Sequence, residues 1–225
     1  MEILEKFMPN VVKYFDKITT AVYETIAMVF ISLVFIIIFG TILGLILVVI
    51  SPGHLYENKV LNNILPKLIN IMRSIPFVLV IALLLPVTRF LVGTAIGIRG
   101  AVVPIVISMI PFVARQVEVS VLEVPRGVIE MSLSLGLSKP YIIFRVLLKE
   151  GVQGIIRSLT LSSISLVAAS TIAGVVGGGG VGDLALRYGY ARFMTDMTVV
   201  TIVLLLILVF VIQTIGNFLM KRVTH

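Results

Sequence analysis

Glu130-Met131-Ser132-Leu133-Ser134-Leu135-Gly136 opens on an acid and closes on a glycine, with polar and apolar residues alternating between them. A carboxylate there can pair with a cation or accept hydrogen bonds, and a glycine lets the chain turn sharply. That chemistry is recognition rather than bond-making. A second candidate is Gly177, Gly179 and Gly182, which satisfy G-x-G-x-x-G. This spacing cradles a pyrophosphate only between a strand and a helix of a βαβ unit. Here a long apolar stretch precedes it, so dinucleotide binding is set aside and a flexible loop over 177–192 is expected. No G-x-x-x-x-G-K-[ST] run is present, so the chain has no phosphate loop of that type. Cysteine is absent, and the two histidines are His54 and His225. Thiolate metal sites and cysteine nucleophiles are thereby excluded, and little is left for histidine chemistry. Glu24 and Asp196 stand at the borders of apolar stretches, and no Asp or Glu lies inside one. Proton relays and intramembrane hydrolases need such groups within the bilayer. The expectation is no catalytic residue, no metal and no cofactor.

The elements carrying these residues are membrane spans. Of the 225 residues, 59% are hydrophobic and 13% charged, with a mean hydropathy of +1.16. A soluble domain has about 45–50% apolar and about 25% charged residues. A soluble globule could not hide this much apolar surface, and the same numbers exclude disorder. Thr25–Gly53, Ser158–Gly182 and Met197–Met220 contain no Asp, Glu, Lys or Arg. Each is long enough for a spanning helix, which needs about 20 residues. Ser74–Thr88 and Gly100–Ala114 are shorter and bracketed by arginines, which can snorkel to the surface. The reading is an all-α integral membrane protein, one domain over 1–225. It has five transmembrane helices over about 22–50, 64–87, 100–116, 156–178 and 197–220. Met1 to Lys17, with Glu2, Glu5, Lys6, Lys13, Asp16 and Lys17, lacks an apolar core and reads as a surface segment rather than a cleavable leader.

The net charge of +7 fits a membrane protein better than a nucleic-acid binder, since no basic run is interleaved with aromatics. With an external N-terminus, Lys6, Lys13, Lys17, Arg89, Arg99, Arg187 and Arg192 lie outside, and the other eleven of the 18 cations lie inside. The bias favours N-out, C-in. The long connection over 117–155 then faces the cytoplasm. Pro125 can open a short helix in it and Gly136 can close that helix in a left-handed cap. Ser138 can cap a second helix with Pro140 in its first turn. There Arg145, Lys149, Gln153 and Arg157 form a polar stripe opposite Ile142, Val146 and Ile155, as in an interfacial helix. The short helix is too brief to stand alone. It either packs on its own membrane domain or docks on a partner.

Span four is rich in small and hydroxyl residues. Such residues let helices pack closely, or else they line a polar pathway, with Ser162, Ser165 and Ala169 as candidates. Pro76, Pro86, Pro104 and Pro111 either break spans two and three or are tolerated as kinks.

The loop is similar to one found in permeases of ATP-binding-cassette importers. That loop runs Glu-Ala-Ala, three residues, Gly, nine residues, Ile-x-Leu-Pro. Glu130, Gly136 and the spacing are kept. Met131 and Ser132 replace the alanines, Val146 the isoleucine and Lys149 the proline. Arg73-Ser74-Ile75-Pro76-Phe77, the stretch Leu85–Gly97, Pro111-Phe112-Val113-Ala114-Arg115 and Tyr188-Gly189-Tyr190 resemble the methionine-importer permeases, over roughly Tyr23 to Val223.

The resemblance implies a homodimer in a bacterial inner or plasma membrane, with a pathway for L- and D-methionine along its axis. It implies two copies of a cytoplasmic ATP-binding subunit, which would hydrolyse the ATP, and an external substrate-binding protein. Glu130, Met131, Ser132, Leu135 and Gly136 would form the coupling helix that docks on that subunit. Other partners are the lipid bilayer and methionine itself, and no nucleic acid. The alternatives are a permease of this architecture for another small amino acid or peptide, or an ATP-independent secondary transporter.

Overall fold

The computed structural model describes Phe7 to Val223, and every regular element among those residues is helical. Glu2, Glu5, Lys6 and His225 lie outside the described residues. The chain runs α1 (Pro9–Lys13), α2 (Phe15–Ile50), α3 (Lys59–Ser74), α4 (Phe77–Val92), α5 (Gly97–Leu122) and α6 (Arg126–Ser134). Then come α7 (Lys139–Tyr141), a π-helical turn Ile142–Leu147, and α8 (Leu148–Glu150). α9 (Val152–Ala173) continues into a second π segment, Gly174–Gly178. After α10 (Gly180–Leu184) and a third π segment, Ala185–Tyr190, the last helix is α11 (Thr195–Val223).

Among the described residues, four helices are long and apolar enough to cross a membrane: α2, α5, α9 with its π extension, and α11. A fifth span results if α3 and α4 are counted together. The span expected over 64–87 is interrupted between Ser74 and Phe77, so of the two readings open for Pro76 the break holds. Pro76 has no N–H to continue the ladder and drives Ile75 into extended geometry, at φ −80° and ψ 124°. Pro86, Pro104 and Pro111 stand inside continuous helices, so among these prolines only Pro76 coincides with a break.

Helix α2 begins at Phe15, earlier than the expected 22, and its 36 residues give about 54 Å of helix. Helix α5 runs past the expected loop start at 117 as far as Leu122. Its continuation is fixed by Val113, Val117 and Val121, spaced every four residues and all buried. An Arg115–Glu118 ion pair at 2.7 Å lies on the same turn.

The chain divides into two compact units. The first comprises the chain up to Val34 with Pro76–Ile107 and Ser163–Ile212. Its core joins Ile18, Ala21, Val181, Leu184, Tyr188 and Met197. The second comprises Phe35–Ile75, Ser108–Ser162 and the chain from Gln213 on. There Leu47, Ile69 and Ala114 are buried together, with Leu43 and Leu65 against them. In lipid, apolar area gives helices little reason to associate, so close packing and polar contacts must hold them. Gly40 and Gly44 provide the close packing. A Cβ at Gly40 would stand 2.6 Å from a Val113 methyl, and one at Gly44 would stand 2.7 Å from the Ala114 carbonyl oxygen. Polar contacts include a hydrogen bond between the Ser120 and Ser158 hydroxyls, at 2.7 Å.

Candidate functional site

Helix α6 is short because both ends are set by local chemistry. Pro125 precedes it in extended geometry, and its carbonyl accepts the Val128 amide at 3.0 Å. At the other end Gly136 adopts φ +75°. The Gly136 amide donates to the Leu133 carbonyl at 2.9 Å, and the Leu137 amide donates to the Ser132 carbonyl at 3.2 Å. These two bonds make a Schellman ending, as Gly136 led one to expect. Ser138 stands at the start of α7, but its hydroxyl makes no capping bond.

The helix is two-faced. Ile129 and Ser132 are buried, and the Ser132 hydroxyl donates back to the Val128 carbonyl at 2.7 Å. Glu130 is exposed. Met131 is 59% exposed and Leu135 72%, with Leu133 exposed as well. Apolar side chains this open on and just past a nine-residue helix are left uncovered by the described residues. Of the five residues expected to share one contact, Glu130, Met131, Leu135 and Gly136 are accessible, while Ser132 supports the helix from beneath. Beyond the turn, Tyr141 and Phe144 are also exposed. Arg145, Lys149, Gln153 and Arg157 are all exposed, and Ile142 and Ile155 are buried, as the stripe required. The π-helical turn falls within this stripe.

Residues 51–58 join α2 to α3 and lie against α6. The Tyr56 amide donates to the Val49 carbonyl at 2.9 Å, and the Asn58 amide to the Ile50 carbonyl at 3.0 Å. The Asn58 side chain caps α3 by accepting from the Val60 and Leu61 amides at 3.1 and 3.0 Å. Arg126, the first residue of α6, donates to the Pro52 carbonyl at 3.5 Å. Lys139, the first residue of α7, sits 4.9 Å from the centre of the Tyr56 ring. In the same segment, the Nδ1 of His54 is buried and finds no hydrogen-bond partner among the described residues. Burial, and then the Arg126 charge, hold its pKa below the ordinary value. None of these contacts is visible in sequence, because the partners lie far apart along the chain.

The glycine-rich stretch is ordered rather than a flexible loop. The Gly180 amide donates to the Glu24 carboxylate at 2.6 Å, and the Val181 amide to the Thr25 hydroxyl at 2.8 Å. Glu24 and Thr25 thus take amides that a phosphate would need. Of the pathway candidates, Ser162 is buried and its hydroxyl donates to the Ser158 carbonyl at 2.8 Å. Ala169 is buried, and Ser165 is half-buried. The open face of α9 instead carries Leu161, Ala168 and Ile172.

Residues 40–225 match the model of the binding-protein-dependent transport system inner membrane component. The chain belongs to this family. It is 43% identical over 210 residues to the probable D-methionine transport system permease protein MetI of Vibrio cholerae, covering 93% of each chain. It is 43% identical over 217 residues to the methionine import system permease protein MetP of Bacillus subtilis, covering 96% of this chain and 97% of that one. Its fold superposes on a chain of the inward-facing MetNI methionine ABC transporter with a TM-score of 0.92. That match has 37% identity and covers 95% of this chain and 99% of the other. As an inner-membrane component, this protein is a multi-pass transport permease. Its α6 and Gly136 turn lie within the family match.

Proposed function

We propose that this chain is the membrane subunit of an ATP-driven importer and carries methionine into the cell. The likeness along nearly its whole length to methionine permeases supports this cargo. It works as a homodimer oriented N-out, C-in, with the spans and the 117–155 loop forming one permease domain. Two cytoplasmic ATP-binding subunits supply the energy, and an external binding protein delivers the substrate. Helix α6 is the coupling helix. Docking it would bury Met131, Leu133 and Leu135, each contributing up to about 1.5–3 kcal/mol before ordering costs. Glu130 pairs with a basic group on the partner. The Gly136 turn lets α6 move as a rigid lever when the partner closes. Ser162, Ser165 and Ala169 are the pathway candidates, and Ser165 is the least buried of the three.

The test is uptake of radiolabelled methionine by proteoliposomes that hold this chain, its ATP-binding subunit and the external binding protein, with and without internal ATP. ATP-dependent accumulation, suppressed by unlabelled methionine, is the expected result. ATP-dependent uptake of a different amino acid would overturn the cargo. Uptake without any ATP-binding subunit would overturn the mechanism.

A further inference from the structure

The 51–58 segment grips α6 and α7 at two points, one on each side of the coupling helix. Arg126 opens α6 and reaches the Pro52 carbonyl. Lys139 opens α7 and lies over the Tyr56 ring. The same segment is bonded to the end of α2 through the Tyr56 and Asn58 amides, and it caps α3 through the Asn58 side chain. It is braced internally as well, because the Gly53 amide donates to the Glu57 carboxylate at 2.9 Å. Gly53 takes φ +77°, and a Cβ there would stand 3.4 Å from the Arg126 guanidinium. The arrangement ties one short loop to four helices.

We infer that residues 51–58 are a transmission strap, through which movement of α6 reaches α2 and α3, with Arg126, Lys139 and Tyr56 as positioning residues. The inference rests on the coupling role proposed for α6. Two discrete grips suit force transmission better than a single hinge. With only one end of the α6–α7 turn held, the turn would pivot about that point instead of pulling on α2. The two contacts also differ in chemistry. The Arg126–Pro52 contact is a charge-assisted hydrogen bond, and the Lys139–Tyr56 contact is a cation over a ring, so they can be removed separately. Within the strap, the buried Nδ1 of His54 has no hydrogen-bond partner among the described residues. The charge acting on that ring is that of Arg126 from α6. A proton on His54 would add a positive charge beside Arg126 and loosen that grip.

The test uses the full complex with its ATP-binding subunit and external binding protein in proteoliposomes. The variants are Tyr56→Leu, Tyr56→Phe, Arg126→Gln and the double Tyr56→Leu/Arg126→Gln. Three quantities are read: complex assembly, ATP hydrolysis, and methionine taken up per ATP hydrolysed. Tyr56→Leu and Arg126→Gln should keep assembly and hydrolysis while uptake per ATP falls roughly fivefold, the low end of site-to-site couplings. Tyr56→Phe keeps the ring and should match the wild type. In the double variant the loss should exceed either single loss. An unchanged ratio of uptake to hydrolysis in assembled Tyr56→Leu and double variants would overturn the strap. A Tyr56→Phe variant as impaired as Tyr56→Leu would also overturn it, pointing to the hydroxyl instead. Failure of the coupling reading itself would look different: a Met131→Asp/Leu135→Asp variant would still bind the ATP-binding subunit with wild-type affinity.

Discussion

Replacing Gly136 measures how far transport depends on the ending of α6. Its φ of +75° lies where residues with a side chain are disfavoured. An added Cβ would meet nothing within 4 Å, so the substitution creates no clash. The penalty is therefore the left-handed conformation alone, about 1–2 kcal/mol for an ordinary residue. A shift of that size changes the population of the capped ending by a factor of roughly 5–30. Escape from the strain breaks the Gly136–Leu133 and Leu137–Ser132 hydrogen bonds, which frays the turn carrying Leu135. Gly136→Ala should thus lower uptake per ATP by up to roughly 5–30-fold, with Gly136→Val at least as severe. Gly136→Asn should be much milder, because asparagine enters the left-handed region readily. The assay is ATP-dependent methionine uptake beside ATP hydrolysis in the same proteoliposomes, with amide exchange followed over residues 132–137. Wild-type uptake in Gly136→Ala and Gly136→Val, with the Gly136 and Leu137 amides still protected, would refute the reasoning.

Two further outcomes separate packing from function. Gly44→Leu should abolish folded, assembled protein by size-exclusion chromatography in detergent, because the Ala114 carbonyl and Val117 stand within 2.9 Å of the new Cβ. Gly127→Ala meets open space inside α6 and should stabilise that helix by about 0.5–1 kcal/mol, seen as slower amide exchange there. The pH dependence of the strap follows from His54. Its pKa is lowered in the folded chain, so folding is favoured above the ordinary value of 6.5 and loses that contribution as pH falls through and below it. Thermal stability of the wild type should drop between about pH 6.5 and 5, and a His54→Phe variant should show a shallower slope over that interval.

Membrane residence, helical class and the position of the short helix α6 were legible in the sequence because each rests on local or compositional signals. Unbroken apolar runs have one inexpensive home, and a backbone in lipid must bond to itself. Pro125 and Gly136 write the ends of α6 within a dozen residues. Tertiary structure decided everything that depends on residues distant in the chain. It decided that the second span is broken at Pro76, because a proline can end a helix or stand inside one, as Pro86 does. Placing Glu24 and Thr25 on the amides of Gly180 and Val181 turned an apparent nucleotide motif into a capped helix start. Ser132 and Ser162 were turned inward, which the helical period alone could not settle where polar and apolar residues are interleaved. The strap was formed in the same way, by bringing Tyr56 to Lys139 and Pro52 to Arg126. Local propensity carries no information about such meetings, since they depend on how helices pack and not on how each one forms.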